Sequence, residues 1–315
     1  MAAPDYLLIA GTAAAGLAPQ VARELGVTPT PCRIERFPDG EISVEIGQSV
    51  RRREVVIIQP TSPPVNDHLM ELVLLADACR RAAASHITAI IPYFGYARSD
   101  RRQGRRAPVS ARAAATMLEA AGIGHVVTFD VHAPQVEGFF SIPTDDIETM
   151  SVMDSALGPL LGAESVIVAP DLGAVRRARD TSRRLRRTMA LCLKRRHDGT
   201  EVEVTGVVGD VEGRSCIIVD DMISTGATVV ESVRALRAAG AREVRAVVAT
   251  HAVFAPGAAD RLAGAGVRDV VVTDTVEPSG TEWPATPGHH VVSVAPLIAR
   301  VIRRLETGES LREPG

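Results

Sequence analysis

A short apolar run that ends in two acids constrains the fold of this chain most. Ile217, Ile218 and Val219 are β-branched, and a run of this length and type is typical of a buried parallel strand. Asp220 and Asp221 follow it directly. Ligands of open α/β sheets bind beyond the carboxyl ends of the strands, and a helix that follows a tight turn attracts anions to its start. The run therefore predicts a ligand site built around the two acids.

The residues after the acids suit a turn that leads into a helix. Gly226 permits close approach of the backbone to a ligand, and a helix is predicted from Val229 to about Ala239. The turn itself contains Ser224, Thr225, Gly226, Ala227 and Thr228. The segment favours a cradle for a sugar phosphate, with the acids facing the sugar hydroxyls and the phosphate on the helix. An ordinary strand-turn-helix connection with solvated acids is the alternative.

Lysine is almost absent from this chain. Of its 35 cationic side chains, 34 are arginine, and the single lysine is Lys194, which follows Leu193. This excludes a P-loop, which needs lysine between glycine and serine or threonine. Because lysine is a compact point charge and arginine a planar fork, a lone lysine indicates a geometry that arginine does not satisfy. A surface lysine retained by chance is the alternative.

Composition and charge limit the protein class. The 315 residues suffice for two domains, and 46% apolar residues are typical of a globular protein. A net charge of −3 disfavours a surface that coats nucleic acid. Four cysteines without CxxC spacing indicate a reducing compartment, and no long uncharged apolar stretch predicts a membrane span. We expect a cytoplasmic protein that binds neither nucleic acid nor membranes.

Strand patterns alternate with helical patterns throughout the chain, which predicts the α/β class with mostly parallel sheets. Two such series meet near residue 145. We therefore expect a first domain over residues 1–145, a second over residues 146–295, and a last helix and tail over residues 296–315 that packs back on the first half. Two elements matter below, a helix over Asp67–Ala84 and a strand over Thr188–Leu193.

Two segments of the first half carry unusual residues. Arg36–Glu41 places an arginine, an aromatic ring and two acids around a Pro-Asp-Gly turn, although an ordinary β-turn explains it equally well. Pro92–Arg102 concentrates aromatic and arginine side chains after a buried strand. Aromatic faces beside cations suit a nucleotide base and its phosphates, whereas the alternative is a basic solvated loop.

Polar residues also follow other strands. Asp130 and His132 end an apolar strand in the first half, and Asp171 holds the equivalent place in the second. His132 and Asp171 could share a cation, although Mg²⁺ prefers oxygen ligands and a histidine at a strand end is often structural.

Seven segments together resemble the ribose-phosphate pyrophosphokinase family. They are RFPDGE from Arg36, NDHLMELVLLADACRRA from Asn66, PYFGYARSDRR from Pro92, DVHAPQVEGFFSIPTD from Asp130, APDLGAVRRAR from Ala169, LKRR from Leu193 and VDDMISTGAT from Val219. The resemblance is collinear over nearly the whole chain. The acid pair with its Thr-Gly loop is shared with phosphoribosyltransferases, and the other segments are specific to the synthetase.

The resemblance implies two phosphoribosyltransferase-like domains, each a mostly parallel sheet flanked by helices, with the active site between them. It implies transfer of the diphosphoryl group of ATP to the 1-hydroxyl of ribose 5-phosphate with Mg²⁺ as cofactor, and a homo-oligomer built from dimers, up to a hexamer.

The resemblance also assigns residues. For ATP it implies Phe37, Asp39, Gly40 and Glu41, in a turn that a neighbouring subunit contributes, together with Arg98 and Ser99. For Mg²⁺ it implies His132 and Asp171. For catalysis it implies Lys194 and Arg196, in a mobile loop that continues over Arg195–Thr200. For ribose 5-phosphate it implies Arg196, Asp220, Asp221, Ser224, Thr225, Gly226, Ala227 and Thr228.

Three residues depart from the family pattern. Ser99 stands where glutamine is common, Ser224 where aspartate is frequent and Ala227 where glycine is frequent. Two other functions remain open. A phosphoribosyltransferase would lack the ATP segments, and a regulatory relative without catalysis would have an eroded Lys194 loop.

Overall fold

The computed structural model describes residues 6–102, 104–197, 201–277 and 288–311, with the side chains of residues 195–197 and 201–204 left aside. The strands are β1 (Tyr6–Ala10), β2 (Cys32–Arg36), β3 (Ile42–Ile46), β4 (Glu54–Ile58), β5 (His86–Ile91), β6 (His125–Phe129), β7 (Thr144–Ile147), β8 (Ser165–Ala169), β9 (Thr188–His197), β10 (Glu201–Val208), β11 (Ser215–Ile223), β12 (Glu243–Ala252), β13 (Asp269–Thr273) and β14 (Gly288–Val292). The helices are α1 (Leu17–Leu25), α2 (Val65–Arg81), α3 (Ser110–Ala121), α4 (Asp154–Leu157), α5 (Val175–Arg184), α6 (Ala227–Ala238), α7 (Ala258–Gly264) and α8 (Ala295–Thr307). Short 3₁₀ turns occupy Thr12–Ala14, Pro134–Phe139, Met150–Met153, Gly158–Leu160 and Leu172–Ala174.

The described residues form two compact units. The first lies within Met1–Glu148, Thr275–Glu277 and Ser293–Gly315, and the second within Thr149–Asp274 and Pro278–Val292. The expected domain boundaries, after residues 145 and 295, remain predictions. The units differ from them in one respect, since the chain returns to the first unit for a few residues before β14.

The first unit is built on a parallel sheet of five strands in the order β1-β4-β5-β6-β7. Apolar side chains of β4, β5 and β6 pack with α2 and α3 in one buried cluster. The antiparallel hairpin of β2 and β3 lies against that cluster through Ile34 and Val44. α8 packs on α1, where Ser293 Oγ donates to Gln20 Oε1 at 3.1 Å.

The second unit has seven strands in the order β10-β9-β8-β11-β12-β13-β14, of which only the β9–β10 pair is antiparallel. Alternate residues of β11 enter two different cores. Cys216 and Ile218 pack towards α6 and α7, and Ile217 and Val219 pack towards α5. Burial on both faces explains why these strands read as unbroken apolar runs.

The predicted α/β class with mostly parallel sheets is confirmed. Among the described residues, no helix is both long and apolar enough to cross a membrane.

A buried carboxylate fixes the carboxyl end of β1. Glu71 on α2 is 2% exposed and accepts hydrogen bonds from Thr12 N and Thr12 Oγ1, both at 2.6 Å, and from Gln59 Nε2 at 2.9 Å. Gly11 lies against the same group, since a Cβ there would come within 2.2 Å of Gln59 Oε1. Three donors satisfy the charge, so its burial is tolerated.

Glu71→Ala tests this contact. It removes the acceptor of the buried Gln59 amide and of two Thr12 donors, so we expect the free energy of unfolding to fall by about 1–3 kcal/mol. Glu24→Ala, on the exposed face of α1, is the control and should change stability by less than about 0.5 kcal/mol. Denaturant unfolding of both variants measures the difference, and equal stabilities would show that Glu71 does not brace the β1 turn.

Candidate active site

Two adjacent strands of the second unit bring acids to one edge of the sheet. β8 and β11 run parallel, and their register pairs Val168 with Ile218. The chain just after β8 therefore runs alongside Asp220 and Asp221. Asp171 caps the turn that begins there, with Oδ1 accepting from Ala174 N at 3.2 Å.

The acid pair lies inside β11 and not beyond it. The expectation that the strand ends at the two acids is wrong, because pairing with β12 continues through Ile223. Successive side chains of a strand point to opposite faces of the sheet. Accordingly, Asp221 is buried while Asp220 is half-buried. The backbone N–H of Asp221 donates to Asp220 Oδ1 at 2.9 Å.

The pKa of the Asp220 carboxyl is raised well above its usual range. The largest cause is loss of solvent around the carboxyl, followed by the charge of Asp221, a hydrogen bond between the two acids and the charge of Asp171. The Arg177 guanidinium acts in the opposite direction. The edge is thus a cluster of carboxylates whose mutual repulsion is only partly offset.

β11 leads through a turn into α6, as the sequence predicts, with one correction. α6 begins at Ala227, two residues earlier than expected, because Gly226 caps it in the left-handed region with φ of 76°. Thr225 Oγ1 accepts from Ala227 N at 3.4 Å. Thr225 and Ala227 are exposed, while Ser224 and Thr228 are half-buried. Backbone N–H groups of a first helical turn have no partner within the helix, so they can donate hydrogen bonds to a bound anion.

Neighbouring residues hold the cradle in place. Ala255 N donates to the Ser224 carbonyl at 3.0 Å. Arg261 Nη1, from α7, donates to the Thr225 carbonyl at 2.9 Å. These contacts fix the backbone of the turn from outside, so the turn is preorganised for a ligand.

Lys194 points to the same edge. It lies in β9, which extends to His197 and makes the predicted strand end at Leu193 wrong. Its side chain is 11% exposed, and Nζ lies 3.0 Å from Asp171 Oδ2. The lone lysine is therefore a partly buried partner of an edge carboxylate, and a freely solvated surface position is ruled out.

The expected mobile loop at Arg195–Thr200 is only partly described. The backbones of Arg195, Arg196 and His197 belong to β9, where Arg196 pairs with Val202 of β10. This corrects the expectation of a loop at those three positions. Residues 198–200 lie outside the described residues, and the side chain of Arg196 does too.

The Pro-Asp-Gly turn of the first unit is the tip of the β2–β3 hairpin. Phe37 N donates to the Glu41 carbonyl at 2.8 Å, and Glu41 N donates to Asp39 Oδ1 at 3.1 Å. Gly40 has φ of 94°, which few other residues tolerate. Phe37 is 47% exposed, so the tip presents an aromatic face, as a site for a nucleotide base requires.

Arg98 and Ser99 follow β5 in a tightly turned segment. Ser99 N donates to the Tyr96 carbonyl at 2.8 Å, and Tyr96 itself has φ of 67°. Arg98 is exposed and Ser99 is half-buried. An L-residue in the left-handed region costs backbone energy, and such positions cluster at ligand sites.

His132 follows β6 in a second turn of this kind. Asp130 has φ of 43°, and the next residue is held by Asp146 of β7, whose Oδ1 accepts from Val131 N at 3.1 Å and from Thr128 Oγ1 at 2.9 Å. His132 is exposed beyond this brace. The structure thus presents the predicted His132 at the sheet edge of the first unit, and Asp171 at that of the second.

The donor set suits a hard divalent cation. Within the part of the chain that the structure describes, no three histidine, cysteine or acidic residues form a ready metal cage. Mg²⁺ commonly takes one or two carboxylates and completes its shell with water and substrate phosphates. The Asp171 carboxylate can supply one such oxygen ligand.

Sequence reasoning missed two arginines of this edge. Arg177 faces the carboxylates from α5, and Arg261 braces the cradle from α7. Arg177 lies only six positions after Asp171 within a segment already singled out, so helical spacing could have indicated it. Arg261 lies 36 positions from Thr225 and carries no local signal.

Asp220→Asn should stabilise the protein. Because the folded carboxyl has a raised pKa, the folded state binds more protons than the unfolded state above about pH 4, and stability falls as pH rises through that window. The asparagine variant lacks this fall. We expect a gain on the order of 1 kcal/mol at pH 7 and almost none near pH 4.

Denaturant unfolding at both pH values measures this gain. Asp210→Asn, at an exposed acid paired with Arg214, is the control and should change stability by less than about 0.5 kcal/mol. A gain from Asp220→Asn that is equal at the two pH values would contradict the carboxylate repulsion.

Known proteins match the chain over nearly its whole length. The family model described as the N-terminal domain of ribose phosphate pyrophosphokinase matches residues 6–122, and the phosphoribosyl synthetase-associated domain matches residues 195–313. The chain is 42% identical to the ribose-phosphate pyrophosphokinase of Burkholderia pseudomallei, over 99% of this chain and 98% of that protein. It is 45% identical to that of Maricaulis maris, over 96% of this chain and 98% of that protein.

A solved structure agrees with these matches. The phosphoribosylpyrophosphate synthetase from Mycobacterium smegmatis is 37% identical and superposes with a TM-score of 0.88, over 96% of this chain and 99% of that one. Sequence and fold therefore agree along the whole length, and the chain belongs to the ribose-phosphate pyrophosphokinase family.

Proposed function

We propose that this protein transfers the diphosphoryl group of ATP to the 1-hydroxyl of ribose 5-phosphate, giving 5-phosphoribosyl 1-diphosphate and AMP. The observation that carries the proposal is the cradle after β11, which adjoins the edge where Lys194 meets Asp171. It supplies sugar-facing acids, an anion-binding helix start and a cation in one unit of a chain that belongs to this family.

The acid pair and the turn would hold ribose 5-phosphate. Asp220 and Asp221 accept hydrogen bonds from the ribose hydroxyls, and the backbone N–H groups and hydroxyls of Ser224–Thr228 bind the 5-phosphate. A neutral Ser224, in place of the frequent aspartate, adds no charge beside the phosphate dianion. Ala227 keeps the backbone N–H that a glycine would offer.

The first unit would supply the ATP contacts. Phe37 stacks on the adenine ring, Asp39 and Glu41 accept from its polar edge or the ribose, and Gly40 allows close approach. Arg98 and Ser99 contact the nucleotide from the β5 turn. A serine at position 99 has a shorter reach than glutamine and offers one donor where the amide offers two.

The transfer step displaces AMP from the β-phosphorus. The 1-oxygen of ribose 5-phosphate forms a bond to that phosphorus, the bond to the α,β-bridging oxygen breaks, and the hydroxyl proton is released. Positioning and neutralisation of charge on the moving group supply most of the catalysis. Lys194 and Arg196 provide the cations, and Arg196 also contacts the sugar phosphate.

Asp171 and His132 would hold Mg²⁺ with the phosphate oxygens. The bound cation neutralises charge on the phosphates during transfer.

We also propose a cytoplasmic homo-oligomer. The four cysteines are free thiols, in keeping with a reducing compartment.

Product analysis tests the function. The full chain incubated with ribose 5-phosphate, ATP and Mg²⁺ should form AMP and phosphoribosyl diphosphate in equal amounts. ADP instead of AMP would indicate transfer of a single phosphoryl group. Consumption of phosphoribosyl diphosphate with a nucleobase, and no AMP, would indicate a phosphoribosyltransferase, and either result would overturn the proposal.

Lys194→Arg tests the catalytic cation. Arginine keeps the charge and can still pair with Asp171, so stability should change by less than about 0.5 kcal/mol. Its wider fork aims its donors differently at the transferred group. We expect kcat to fall on the order of 10²–10³-fold while the KM values for both substrates move far less, because the contact matters most in the transition state.

The control for this variant is Arg214→Lys, the reverse exchange at the largely structural pair with Asp210. It should leave kcat within about twofold. Steady-state kinetics and thermal unfolding of both variants separate the cases, and a near-wild-type kcat for Lys194→Arg would end the catalytic assignment of Lys194.

A further inference from the structure

The first turn of α2 touches both segments of the first unit that the proposed function assigns to ATP. Asp67 Oδ2 accepts a hydrogen bond from Arg36 Nη1 at 2.6 Å. Its neighbour Asn66 accepts one from the Tyr96 hydroxyl. Arg36 immediately precedes the Phe37 turn, and Tyr96 lies two residues before Arg98. Two adjacent side chains thus join segments that are about 60 residues apart in the chain.

The Tyr96 segment needs support because its backbone is strained. Tyr96 has φ of 67°, in the left-handed region that side chains rarely adopt. Gly95 packs closely against Thr61 and against Val65, the first residue of α2. A Cβ at position 95 would lie 2.6 Å from both the Thr61 carbonyl oxygen and Val65 Cγ1. Gly95 N also donates to Thr61 Oγ1 at 2.6 Å. The start of α2 therefore holds the bend from which Arg98 and Ser99 emerge.

The hairpin tip needs a different kind of support. Apolar contacts of Ile34 and Val44 with the core fix the body of the β2–β3 hairpin, but they lie several residues from the tip. The Phe37–Glu41 turn is exposed throughout. Arg36 pairs with Ile42 as the last rung of the hairpin, and its guanidinium reaches α2. The Arg36–Asp67 pair therefore anchors the turn at its base.

The exposure of this ion pair argues against a role in stability. The side chains of Arg36 and Asp67 are 47% and 34% exposed, and ion pairs of such exposure contribute little to folding because water and salt screen them. They can still restrict where a neighbouring turn lies. A contact that contributes little to stability yet holds an assigned ligand segment against α2 is best explained by positioning.

We propose that Asn66 and Asp67 are positioning residues for the nucleotide. Asp67 holds the Phe37–Glu41 turn in place through Arg36, and Asn66 holds the Arg98–Ser99 segment in place through Tyr96. Neither residue needs to touch the ligand. The inference rests on the proposed function, because that function assigns both segments to ATP.

Single substitutions test the positioning role. Asp67→Ala and Asn66→Ala should each raise the KM for ATP and the Kd of Mg-ATP by about tenfold, since misplaced binding groups lose affinity without losing the chemistry. The KM for ribose 5-phosphate and kcat should stay within about twofold. The Tm should stay close to that of the wild type.

Asp77→Ala is the matched control. Asp77 lies on the same helix and is paired with Arg80 and Arg81, but it contacts neither segment. It should leave the KM for ATP unchanged. The double variant Arg36→Asp with Asp67→Arg restores the ion pair in reverse, so it should recover most of the ATP affinity that Asp67→Ala loses.

Direct binding of Mg-ATP to the full chain, measured by calorimetry, separates this inference from the proposed function. Wild-type binding with unchanged affinity in Asp67→Ala and Asn66→Ala would overturn the inference and leave the function standing. Equal losses for ATP and ribose 5-phosphate, or a loss of ATP affinity that follows a fall in Tm, would also overturn it as a mere stability effect. Absence of ATP binding in the wild type would overturn both.

Discussion

Crowding of negative charge at one edge of a parallel sheet is the constraint on which the second unit depends. β8 and β11 are neighbours and run in the same direction, so the acid after one strand and the two acids in the other must meet. Burial and the charges of Asp221 and Asp171 raise the pKa of Asp220, and the charge of Arg177 offsets only part of this rise. Such an arrangement disfavours the folded state on its own. It is favourable once cationic or hydrogen-bonding ligands meet the carboxylates, which is the condition that a site for a sugar and a metal-bound polyphosphate provides.

In the first unit, backbone strain lies in the turns that follow two strands of the sheet. Tyr96 and Asp130 both adopt left-handed conformations, and each follows a strand of the central sheet. In both turns neighbouring side chains compensate, Asn66 for Tyr96 and Asp146 for the residue after Asp130. At these two turns of the first unit, hydrogen bonds from neighbouring segments therefore hold strained backbone in place.

Local signals made much of this fold and site predictable. An apolar run such as Ile217–Val219 can hardly be anything but a buried strand, and adjacent acids and a glycine make the cradle visible within ten residues. Composition alone singled out Lys194. Long-range side-chain contacts gave no such signal. Arg36 and Asp67 are 31 positions apart, and Tyr96 and Asn66 are 30 positions apart. Polar side chains of these types occur along the whole chain, so the sequence does not indicate which of them pair. The extension of β9 was missed for another reason. Lys194–His197 is polar and pairs with β10, which is the outermost strand of the sheet, and strands there need not be apolar.

The pairing of Lys194 with Asp171 explains why this one cation is not an arginine. A guanidinium holds a carboxylate through two parallel hydrogen bonds, and that contact is rigid. The ammonium makes one contact to Oδ2, while Oδ1 of the same carboxylate caps the following turn. An arginine would hold the Asp171 carboxylate more rigidly and leave it less free to accept another cation. Lysine balances the charge of Asp171 and can leave it without disturbing the turn. All the remaining Lys and Arg positions of the chain hold arginine. This requirement for a releasable charge is a physical reason to keep a lysine at position 194.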